Sequence, residues 1–169
     1  MVNVELFTKG FTNEDSYNNL CVAKSKIECI HILVNRPDKH VSGDETNYAE
    51  NQIIKQLSYE VVELCHKSLL AAVGPEQYAK MVDCRGIRTH NLEFLRTINH
   101  KLGIDILSYN QVGQVISGIA GDGTDYSNLR YHKQTFDNAS ALSAASIAAK
   151  AYANTINIKK FVDTHGNKS

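Results

Sequence analysis

Three arginines carry the clearest chemical signal in this 169-residue chain. Arg36 follows the apolar run Ile27–Val34, and Arg85 and Arg88 flank Gly86-Ile87 just beyond Met81-Val82. A guanidinium keeps its charge and grips phosphate with two parallel N–H groups, so Arg36, Arg85 and Arg88 are read as an anion-binding set. If the apolar runs are parallel strands, ligands bind beyond their carboxyl ends. That rim would also hold Thr8, Lys9, Asn35, Asp83, Cys84, Ser108 and Tyr109.

The other reactive residues form no catalytic or metal signature. A Cys-x5-Arg phosphatase loop starting at Cys84 would need arginine at position 90, which is His90. Cys84 is therefore expected to pack, although Arg85 and Arg88 beside it would favour its thiolate. His31 sits inside an apolar run and reads as a core residue. Cys65 and His66 are adjacent on a helix and face different directions. Cys21, Cys29, Cys65 and Cys84 include no Cys-x-x-Cys pair, so they are expected as reduced, buried small hydrophobes rather than zinc ligands. Gly118–Gly123 follows a helix, whereas dinucleotide and P-loop sites need strand, glycines, then helix. Asp122 and Asp125 lack calcium-loop spacing. No catalytic residue, metal or cofactor is expected.

The elements that would position these groups come next. Val2–Phe7 nearly alternates and reads as a strand. Thr12–Ala23 reads as a helix with Thr12 or Asn13 as its cap. Ile27–Val34 is a β-branched run with the look of a buried strand. A loop spans Arg36-Pro37 to Gly43-Asp44, and a long helix runs from Tyr48 to Ala72, ended by Gly74-Pro75. Tyr78–Cys84 and Ile104–Leu107 are read as strands. Asn91–Leu102 reads as a helix stopped by Gly103. Val112–Ile119 marks a short helix ended by Gly121. The alternation predicts an α/β core over residues 1–122, a mainly parallel sheet of about four strands with helices on both faces.

From 123 to 169 the composition changes to a polar tail containing an alanine-rich helix over Asn138–Ile156. Its seam is predicted at Leu142, Ala145, Ala149, Tyr152 and Ile156. Lysine plus arginine and aspartate plus glutamate both number 18, so the chain is neutral and a uniformly basic nucleic-acid binder is excluded. That neutrality hides an asymmetry. Arg130–Ser169 holds six bases and two acids, a net +4, which leaves the preceding residues at −4. Arg130, Lys133, Lys159 and Lys160 are the expected contacts to RNA or an acidic protein surface.

One segment resembles a known family. The features are the helix at 52–72, Met81-Val82-Asp83-Cys84-Arg85-Gly86-Ile87-Arg88, Asn91-Leu92-Glu93-Phe94-Leu95, Leu102-Gly103-Ile104-Asp105-Ile106 and Gly118-Ile119-Ala120-Gly121. Together they resemble part of the first actin-like lobe of the exopolyphosphatase/guanosine pentaphosphate phosphohydrolases. The resemblance implies an α/β fold and a phosphate contact at Arg88. The family's Asp-x-Gly phosphate loops have no counterpart: Phe7-Thr8-Lys9-Gly10 stands where the first would be. In layout alone, a compact core with a polar tail resembles the packaging factor of cystoviruses.

These readings converge on a non-enzymatic interaction or assembly protein, with a phage accessory or RNA-packaging factor as its specific form. It is expected as a homodimer or larger assembly. A reduced phosphoanhydride or phosphate-ester hydrolase, or a phosphate-ligand-binding module, is the alternative. No apolar run approaches the roughly 20 residues of a membrane span, and Met1–Phe11 does not look like a secretory signal. A cytoplasmic location, or one within a virion, is expected.

Overall fold

A computed structural model describes residues 2–36, 45–81, 88–117 and 138–166. Its helices are α1 (Glu14–Val34), α2 (Glu45–Val73), α3 (Pro75–Tyr78), α4 (Leu92–Lys101), α5 (Tyr109–Ile116) and α6 (Asn138–His165), preceded by a 3-10 turn at Val4–Leu6. No strand occurs among the described residues, so the expected α/β fold with a parallel sheet is corrected to an all-helical one.

α2 is the axis of the molecule. Its 29 residues span about 43 Å at the usual rise, and it contacts every other helix. From Val61 to Val73 only Leu64 is not buried. A helix enclosed on all sides must satisfy its own polar groups. Ser68 Oγ donates to Ser16 O on α1 at 2.9 Å, and Glu63 Oε1 accepts from Lys67 Nζ at 2.6 Å. The segment before α4 is tied to it twice: Glu63 Oε1 lies 2.9 Å from His90 Nδ1, and the Tyr59 hydroxyl donates to His90 O at 2.5 Å.

Each expected strand has a specific fate. Within Val2–Phe7, Val4–Leu6 forms the 3-10 turn, capped by Asn3. The residues after it then close the end of α2. Lys9 N and Gly10 N donate to Ala72 O at 3.1 and 2.9 Å, and Thr8 Oγ1 donates to Val73 O at 2.7 Å. Those carbonyls would otherwise be orphans of the helix terminus. Phe7 and Phe11 stack beside them, ring centroids 5.6 Å apart.

Ile27–Val34 is the second half of α1. The helix starts where Asn13 Oδ1 accepts from Asp15 N and Ser16 N, and no glycine or proline interrupts it. Ile27, Ile30, Leu33 and Val34 fall on one helical face and join the core, while Ile32 is 68% exposed. Tyr78 ends the single turn of α3, so the expected strand Tyr78–Cys84 begins as helix; residues 82–87 lie outside the described set.

Ile104–Leu107 is an irregular link. Gly103 takes φ +75° and stops α4, with Gly103 N donating to His100 O and Ile104 N to Asn99 O, both at 2.8 Å. This is the Schellman arrangement, which places an apolar residue just after the glycine. Ile104, Ile106 and Leu107 are buried as that link crosses the core.

The last helix belongs to the same core. α6 packs along α2 and also touches α1 and α5. Its buried positions are Ala141, Ala144, Ala145, Ile147, Ala148, Ala151, Thr155 and Val162. Of the predicted seam only Ala145 is among them, and Leu142 is exposed. The seam is turned by about one residue because the alanines, not the larger side chains, allow the close approach to α2. Lys55, itself 1% exposed, donates to Ser117 O at 2.7 Å and Ser140 Oγ at 2.6 Å, joining α2 to the end of α5 and the start of α6.

Candidate functional site

α4, the α4–α5 link, the start of α5 and α6 line an open cleft of about 380 Å3. Its polar lining comes from four places in the chain: Arg96 and His100 on α4, Asp105 on the link, Ser108 and Gln111 at the start of α5, and Lys150 and Asn154 on α6. Each pair has a local reason. Arg96/His100 and Lys150/Asn154 are four residues apart and share a helix face. Ser108 caps α5 by accepting from Gln111 N, while the Gln111 side chain accepts from Ser108 N, a closed capping box. Asn154 Nδ2 donates to Ile106 O at 2.7 Å and pins the link to α6.

Asp105 is the only carboxylate of the lining. Its Oδ1 lies 2.9 Å from His100 Nδ1 and 3.9 Å from Arg96 Nη2. The Arg96 guanidinium also sits over the Tyr109 ring, 5.6 Å from its centroid. Arg96 Nε is enclosed and has no hydrogen-bond partner among the described residues. Lys150 is exposed and makes no ion pair among them. The lining thus brings two fixed cations to one carboxylate, with an arginine whose donors are not all used.

Behind the cleft, His66 is fully enclosed with Nδ1 2.8 Å from Val62 O. Burial pushes its pKa down to about 4, and the charge of Arg96 adds to this; the Val62 carbonyl and Asp105 oppose it. The neighbouring thiol, Cys65, is pushed up to about 12 by burial, with a bond to Thr155 opposing. At neutral pH both are uncharged. Cys21 and Cys29 are exposed on α1, against the expectation that the cysteines are buried. His31 is exposed near the end of α1 rather than in a core. A second groove of about 360 Å3, lined by Tyr109, Asn110, Gly113, Gln114 and Ser117, holds no charged group. Among the described residues no three His, Cys, Asp or Glu side chains are grouped to hold a metal ion, and no helix is long and apolar enough to cross a membrane.

The predicted anion set is placed differently. Arg36 lies just past α1 and its Nη1 is 2.5 Å from Glu50 Oε1 on α2. Arg88 is exposed ahead of α4. Arg85 lies outside the described residues, as do Asp83, Cys84, Arg130 and Lys133. Lys159 Nζ is 2.5 Å from Asp163 Oδ2, one turn on, and Lys160 is exposed. Without strands among the described residues there is no sheet rim to gather Thr8, Asn35 and Arg36: the Thr8 hydroxyl is bonded to Val73 O and the Asn35 amide to His31 O. Sequence reasoning named Ser108 and missed Arg96, His100, Asp105, Lys150 and Asn154. The spacings of four were visible; that α4 and α6 face one cleft was not.

Comparison of the chain with family models, with curated proteins and with solved structures found no match.

Proposed function

We propose that the protein is a non-catalytic interaction or assembly protein that holds an anion, free or carried by its partner, in the cleft between α4, α5 and α6. The observation that carries this reading is the pairing of Arg96 and Lys150 against the single carboxylate of Asp105. A concave site with an excess of fixed positive charge attracts anions from a distance and holds them at short range. The basic C-terminal residues enter the argument in a new way: α6 lends Lys150 to the cleft and carries Lys159 and Lys160 two to three turns further on. The two fully buried reactive side chains beside the cleft offer it neither a nucleophile nor a base. Cys65 is held as a thiol far above neutral pH, and His66 is uncharged and sealed from solvent.

Heparin, a generic polyanion, tests the reading. The full chain should bind immobilised heparin at low salt and elute as salt rises. The double variant Arg96→Gln/Lys150→Gln should elute at clearly lower salt, while Lys9→Gln, which does not line the cleft, should elute with the parent. Equal elution of parent and double variant would remove the cleft from the proposal.

A further inference from the structure

We infer that the anion taken by this cleft is a phosphate group, free or carried by a small phosphomonoester, rather than a carboxylate. The inference rests on the proposed anion-binding role and adds the chemistry of the ligand. A carboxylate has two oxygens in one plane and is fully met by one arginine fork. A phosphate has a tetrahedral set of oxygens and needs donors from several directions. This cleft has that distribution: a guanidinium and an imidazole from α4, an ammonium from α6, and, at the start of α5, the Ser108 hydroxyl proton and the Gln111 side-chain NH2, which the capping box does not use.

Two further observations favour a ligand here over a self-contained ion-pair cluster. Asp105 holds His100 at 2.9 Å and stands 3.9 Å from Arg96, so the carboxylate is committed mainly to the imidazole and does not fully use the guanidinium. Lys150 has no counter-ion among the described residues. The cleft opens broadly to solvent, so a phosphate seated in it can carry a small group that points outward.

The test is an NMR titration of the full chain, following backbone amides and the Arg96 Nε–H, with inorganic phosphate, glycerol 3-phosphate and acetate as probes at constant ionic strength. Phosphate should shift Ser108, Gln111 and the Arg96 Nε–H with a dissociation constant on the order of 1 mM, the range open to so small a ligand. Lys150→Gln, an exposed change that leaves the core untouched, should weaken it about 10-fold, and Lys9→Gln, which does not line the cleft, should not. Tighter binding of glycerol 3-phosphate than of phosphate would favour a phosphomonoester; equal binding would favour free phosphate. Acetate binding as tightly as phosphate would overturn the inference while leaving an anion-binding cleft. Phosphate shifts that fall outside the cleft, or that survive Lys150→Gln unchanged, would also overturn it. If heparin retention is then still lost in the double variant, the binding role stands without the phosphate assignment; if it is not, both fail.

Discussion

His66→Gln should flatten the acid end of the stability profile. In the unfolded chain a histidine titrates near 6.5, whereas in the fold burial holds His66 down at about 4. Between those values the unfolded state binds a proton that the folded state refuses. Stability is therefore unaffected by this residue above about pH 6.5, falls as the pH drops below that, and stops falling below about pH 4, where both states are protonated. The gap is worth about 3 kcal/mol at 1.36 kcal/mol per pH decade, a large part of a typical domain's stability. Urea unfolding at pH 7 and again near pH 3.5 gives the loss for each protein. Acid titration of carboxylates common to both cancels in the difference, so the parent should lose about 3 kcal/mol more than the variant. Glutamine in a sealed site can lower stability at both pH values without affecting this comparison. His66→Asn serves as a second non-titrating variant should the first fold poorly. Equal losses in parent and variants would mean that His66 is charged or hydrated in the fold, and the account of a dry, uncharged imidazole behind the cleft would be refuted.

Two further expectations probe the frame that holds the cleft. Gly74 ends α2 at φ +90° and ψ 151°, a region essentially reserved for glycine, and a Cβ there would meet Lys9 Cγ at 2.8 Å, Glu76 Oε2 at 2.9 Å and Thr8 Oγ1 at 3.2 Å. Gly74→Ala should cost about 1–3 kcal/mol in thermal or urea unfolding, and more than Gly103→Ala, where φ is +75° but the space is open; the reverse order would contradict the close approach of the N-terminal segment to α2. Under native conditions a thiol reagent should label Cys21 and Cys29, which are exposed, and leave Cys65 untouched until denaturant is added, because it is buried with its pKa pushed up to about 12. Peptide mass mapping reads this directly, and early modification of Cys65 would contradict its burial between α2 and α6.

Local sequence signals located most of the helices. Asn13 and Asn91 each announce a start because a short oxygen-bearing side chain can accept the free N–H groups of a first turn, and each does so; Ser108 caps α5 in the same way, ahead of the start expected at Val112. Gly74-Pro75 and Gly103 announce stops because only glycine takes those backbone angles cheaply. The long apolar periodicity from Ile54 to Leu69 identified α2 for the same local reason. Strand or helix was a different kind of question for Ile27–Val34 and Ile104–Leu107. A short apolar run has too few residues to separate a period of 2 from one of 3.6. A helix meets its hydrogen-bonding needs within itself, but a strand exists only if another strand lies alongside. The first run had a helix already propagating into it from Asn13 and α2 to cover it. The second followed a glycine stop whose geometry uses apolar residues as a plug. The cleft was less legible still. Arg96 and His100 stand on α4, Lys150 and Asn154 on α6, and some fifty residues of sequence separate the pairs. Sequence alone could say that each pair shares a helix face. Only the packing of both helices on α2, with Asn154 bonded to Ile106 O across the gap, decided that the two faces meet around Asp105.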